Sequence, residues 1–127
     1  MFEQDYIVRL IREMIRAILK LVFHIDTDNP VEDLLEDRES QKTLEKLYDL
    51  VDCGNINEAE NQIYDMTADN DKANLKVALL FYSYLNDKED TFLQEHGFCR
   101  DEIRSGLEEL ASRYGLTGLA EIFLADI

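Results

Sequence analysis

Two cysteines and two histidines are all that the 127 residues contain, and this scarcity closes off most metal and disulfide frameworks. His24 and His96 stand 72 residues apart, with no His-x-x-x-His or Glu-x-x-His pair, so neither a zinc nor a di-iron helical site is encoded. Cys53 and Cys99 lack CxxC spacing; one precedes a turn glycine and the other sits at a helix-cap position, so both read as small structural residues rather than nucleophiles. Glycine occurs five times and proline once, too sparsely for a phosphate-cradling loop. Basic residues are scarce as well. Thirteen stand against 28 acidic residues, a net charge of −15, which repels a phosphate backbone and excludes a general nucleic-acid binder. No apolar run is long and unbroken: arginines and a glutamate interrupt Tyr6 to Ile25, so neither a membrane span nor a secretory signal is expected. The thiols then read as reduced, in a cytoplasmic protein.

What is present suffices for a core. Hydrophobic residues make up 46% of the chain, and a chain of this length falls in the range of one domain. Charge divides it into two parts. Residues 1–24 carry four basic and three acidic groups, whereas the remainder carries nine basic and 25 acidic groups, a net of −16. The expected organisation is a single helical domain over 1–127, with a long N-terminal helix over 1–25 and an acidic helical body over 26–127.

Helical periodicity runs through every sizeable segment, and no strand pattern appears. The first helix is expected from Phe2 or Glu3 to about His24. Ile7, Ile11, Met14, Ile18 and Leu21 recur at spacings of four and three, a coiled-coil-like seam. Further apolar residues flank it on both sides, and Arg9, Arg12, Arg16 and Lys20 share the narrow face that remains. Asp28 or Asn29 before Pro30 marks a short helix near 30–38. Ser40 or Gln41 opens a stronger helix with a Leu44, Leu47, Tyr48, Val51 stripe ending at Gly54. The next starts at Asn57 with Glu60 as capping-box partner. Asn74 to Asn86 is apolar nearly all round and reads as the central buried helix. A short helix from Asp90 to Glu95 stops at Gly97, a helix capped by Cys99 and Glu102 runs to Gly115, and Thr117 opens a last one bearing Leu119, Ile122 and Phe123. The total is six to seven helices.

The acidic runs do not make a calcium loop. Asp69, Asp71 and Ala73 begin an EF-hand count, but Asn74 stands where the turn glycine belongs and Leu80 where the bidentate ligand belongs; Asp26 and Asp28 are followed by Pro30 and Val31.

Two resemblances follow from these residues. Leu44 to Thr67 resembles one tetratricopeptide helical hairpin: Gly54 and Ala59 fall on that motif's glycine and alanine positions, whereas Leu47, Leu50 and Met66 depart from it and no second copy follows at the 34-residue period. The resemblance implies an all-α, tetratricopeptide-like array. Over most of the chain, Asp5, Tyr6 and Arg9, the segment Gly54 to Glu60, the run Phe81, Tyr82, Tyr84, Leu85, and Phe98 to Gly115 resemble a family of small uncharacterised proteins from Gram-positive bacteria, a domain of unknown function. That resemblance implies a cytoplasmic helical fold and supplies no activity.

No catalytic residue, cofactor or metal is expected. The chain reads as a non-catalytic protein-interaction or scaffold module that binds a protein partner or forms a homodimer, self-associating through the Ile7, Ile11, Met14, Ile18, Leu21 seam and the basic stripe of the first helix; the same seam equally fits packing within the chain, closing its own core. The alternative is a peripheral membrane protein that lays the same helix on anionic lipid through Arg9, Arg12, Arg16 and Lys20.

Overall fold

The computed structural model describes residues 2–27 and 30–124. They form seven α-helices: α1 Phe2–Phe23, α2 Arg38–Asp52, α3 Ile56–Met66, α4 Lys72–Asn86, α5 Asp90–Glu95, α6 Arg100–Arg113 and α7 Thr117–Leu124. One 3-10 turn, Glu32–Leu34, precedes α2, and there is no strand among the described residues. The all-α class expected from periodicity is the observed one.

Helix boundaries follow local chemistry. α1 ends where His24 takes a left-handed φ of 59° and its amide donates to the Lys20 carbonyl at 3.1 Å, an αL closure made without glycine. α2 begins at Arg38, earlier than Ser40 or Gln41, because Asp37 caps it by accepting from the Ser40 amide at 2.8 Å. The helix expected over 30–38 shrinks to the 3-10 turn; Asp28 and Asn29, its proposed start, lie outside the described residues. α4 begins at Lys72 rather than Asn74, since Asp71 Oδ1 accepts from the Ala73 amide at 2.7 Å. The second carboxylate of the EF-hand-like count is therefore a helix cap. α3 begins at Ile56, which moves Asn57 inside the helix and leaves Glu60 to another role.

α4 is the central helix, as its apolar pattern predicts. Leu75, Val77, Ala78, Leu79, Leu80, Phe81, Tyr82, Leu85 and Asn86 are all buried, and α1, α2, α3 and α6 pack around it. α7 closes the other side against α6 and α1. Leu119 and Phe123 pack against the core from α7, whereas Ile122 turns outward at 76% exposure.

Arg100 locks the turn after α4. It is 5% exposed, and its guanidinium donates to the Asn86 and Lys88 carbonyls and, at 3.0 Å, to Asp90 Oδ1. Asn86 in turn donates through Nδ2 to the Val8 carbonyl of α1 at 3.0 Å. A buried charge survives here because every direction of the planar fork meets an acceptor.

Candidate functional site

The seam of α1 faces inward. Ile11, Met14 and Ile18 are buried within the chain, Ile7 packs partly against the core, and Leu21 is 63% exposed. A strict 3.5-residue repeat drifts about 20° per heptad around a straight helix, so the last member of the seam rotates to the rim. Ile15 and Leu19 complete the buried face in its place. The seam is thus core packing, and an interface between chains built on Ile11, Met14 and Ile18 would have to open the domain. The basic stripe lies on the opposite face. Arg9 lies 5.8 Å from the Tyr6 ring, Arg12 pairs with Asp87 at 3.7 Å, and Arg16 and Lys20 reach Asp26 at 3.2 and 3.9 Å. These are exposed pairs, each worth at most about 1 kcal/mol.

A separate concavity lies away from the basic stripe, between α3 and α6. Both helices pack on α4 with their backbones apart from each other, which leaves a cleft of about 320 Å³ with α4 as its floor. One wall carries Glu60 and Tyr64 of α3, and the other carries Glu102, Ser105 and Glu109 of α6. The floor is Tyr82, only 3% exposed, whose phenol donates to Glu60 Oε2 at 2.9 Å. Gly106 allows this close approach, because a Cβ there would lie 2.3 Å from the Tyr82 hydroxyl oxygen.

Arg113 fills one end of the cleft. Its guanidinium lies 3.6 Å from the Tyr64 ring centroid, within 3.7 Å of Glu109, and donates to Thr67 Oγ1 at 2.9 Å and to the Tyr64 carbonyl. At the other end stand Glu60, Glu102 and the Tyr82 phenol, and among the described residues no basic side chain forms an ion pair with Glu60 or Glu102. Burial pushes the Glu60 carboxyl above its usual range; the bond from Tyr82 draws it down, and the charge of Glu102 pushes it further up. Burial, then the Glu60 charge and the bond to it, raise the Tyr82 phenol far above its ordinary value. The pair is a neutral donor facing a desolvated carboxylate.

Sequence reasoning missed this cleft. Glu60 reads as a capping-box residue, yet its carboxylate accepts from a phenol 22 residues away. The one local signal was Gly106, a glycine inside the α6 pattern with no boundary to mark. Glu102 does cap α6 as expected, accepting from the Cys99 amide at 3.0 Å. Gly54 turns between α2 and α3 with φ 86°, and the His96 ring lies where its Cβ would stand. Cys53 and Cys99 are free and exposed.

Among the described residues no three His, Cys, Asp or Glu side chains converge into a metal-ligand set, and no helix is long and apolar enough to cross a membrane. No curated protein and no solved structure matches the chain at a significant level. A family model does match, over residues 1–115 of the 127, and the all-helical chain, with α1 through α6 inside that match, belongs to a family of unknown function (DUF6483).

Proposed function

We propose that the protein is a non-catalytic helical protein-interaction module whose docking surface is the α3–α6 cleft. The observation that carries this reading is the cleft itself: two helices held apart over a buried tyrosine, with an exposed aromatic, Tyr64, at 56% exposure on the rim. Between these two helices stands the Tyr82 phenol, lodged against Gly106. The α2–α3 hairpin turning at Gly54, with α4 packed on α2, supports a tetratricopeptide-like reading, and such arrays bind partners on concave surfaces. Two exposed free thiols fit a reducing, cytoplasmic setting.

The interaction reading is favoured over the membrane one because the apolar face of α1 that would enter lipid is buried in the core. A homodimer through α1 has to use the charged outer face rather than the seam.

The test is a cleft block. Ser105 lines the cleft from the exposed side of α6, so Ser105→Trp fills the groove without entering the core. Cross-linking in the native host followed by quantitative mass spectrometry should show partners captured by the wild type and lost with Ser105→Trp, but retained by Arg12→Gln on the opposite face of α1. Capture that ignores the block defeats the reading. Light scattering on the purified chain reports self-association separately.

A further inference from the structure

We infer that the open end of the α3–α6 cleft receives an arginine side chain from the partner, its guanidinium set over the Tyr82 phenol between Glu60 and Glu102. The inference rests on the cleft being the docking surface and names the chemistry that enters it.

The chain itself supplies the precedent. At the closed end, Arg113 combines a tyrosine face at 3.6 Å, a glutamate at 3.7 Å and a buried hydroxyl acceptor at 2.9 Å. The open end offers a hydroxyl and carboxylates in the same groove: the Tyr82 phenol, Glu60 on the α3 wall and Glu102 on the α6 wall. Three carboxylates and one guanidinium line the whole cleft, so its charge is complementary to one or two further cations. The half-buried Glu60 carboxylate has a phenol as its only hydrogen-bond donor among the described residues, and an ionised group so placed gains from a cation that is itself weakly hydrated, as a guanidinium is. A planar guanidinium bridges carboxylates on facing walls, which an ammonium does less well. The size fits as well. About 320 Å³ admits one long side chain and its flanking backbone, but not a helix. A partner segment would therefore lie across the mouth and insert one residue.

The experiment follows backbone amide shifts by NMR while titrating acetyl-Ala-Arg-Ala-amide, and in parallel the same peptide with citrulline, the neutral isostere of arginine, at millimolar concentrations. The arginine peptide should shift Gly106, Tyr82 and Glu60 above other sites, and should bind about tenfold more tightly than the citrulline peptide, the scale of a hydrogen bond to a charged group. Glu60→Gln with Glu102→Gln keeps both acceptors, so the fold, checked by circular dichroism, should persist while the preference for arginine disappears. Equal binding of both peptides in the cleft overturns the inference and leaves the docking surface standing. Shifts spread over the acidic surface, or unchanged in the double variant, or absent from the cleft, overturn it too. The docking reading itself falls only to the Ser105→Trp result.

Discussion

Gly106→Ala sets two rules against each other. Gly106 sits in the middle of α6, where alanine is preferred to glycine by about 1 kcal/mol on helix propensity. Against that, the new Cβ would lie 2.3 Å from the Tyr82 hydroxyl oxygen, 2.7 Å from its Cζ and 2.8 Å from Glu60 Oε2. Tyr82 is buried on the central helix and cannot swing into solvent. Either α6 moves off α4, with an overpacking cost of about 1–3 kcal/mol, or the phenol gives up its bond to Glu60, a loss of about 1.5–3 kcal/mol for a charged acceptor. The packing cost equals or exceeds the propensity gain, and the variant should be destabilised by up to about 2 kcal/mol net. For a chain of this size each kcal/mol lowers Tm by about 4 °C, so calorimetry or urea unfolding resolves the effect. Gly118→Ala is the control: nothing lies within 4 Å of its Cβ position, and it should be neutral or stabilising by up to about 1 kcal/mol. In a Tyr82→Phe background the nearest clashing atom is gone, and the cost of Gly106→Ala should fall by roughly 1 kcal/mol in a double-mutant cycle. A Gly106→Ala protein that melts higher than wild type, or a cycle with no coupling, would refute the account of the cleft.

Three further outcomes are expected. Ile18→Asp should unfold the chain, because a carboxylate at a position 1% exposed costs on the order of 5 kcal/mol or more, comparable with total domain stability; Leu21→Asp, on the same seam but exposed, should stay within about 0.5 kcal/mol of wild type. A folded Ile18→Asp monomer by circular dichroism would show that the seam is not core. Arg100→Met should cost about 2–4 kcal/mol, since it leaves carbonyls at the end of α4 and Asp90 without their donor, and Arg100→Lys should not restore it, because one ammonium cannot reach the same acceptors; full rescue by lysine contradicts this. Glu60, whose carboxyl is held above its ordinary value of 4.5, binds its proton more tightly folded than unfolded, so its contribution to stability is full below that value and is lost as pH rises through the folded pKa. Glu60→Gln should therefore match wild type in acid, gain on it as pH rises above about 4.5, and keep the gain at neutral pH; a difference in urea midpoints that does not change with pH counts against it.

The helices were legible in the sequence because their causes are local. Apolar residues three and four apart, Gly54, Gly97 and Gly115 at helix ends, and the nearly all-apolar run of α4 report on neighbours within a turn or two. Caps were read less well where several acidic residues compete, as at Asp37 and Asp71, since side chains of equal propensity differ only in which amide they reach. The orientation of α1 needed tertiary structure: a wide apolar arc states that much surface must be covered, but not whether the cover comes from the same chain, and here α4, α6 and α7 supply it. The cleft lay further still beyond local reading. It requires Glu60, Tyr82 and Gly106, residues of three different helices, to meet at one point, and each has an adequate local explanation that hides the other two. Periodicity determined which residues form helices and which face of each is apolar. Only packing decided that α3 and α6 stand apart over Tyr82, because a gap between two helices belongs to neither sequence.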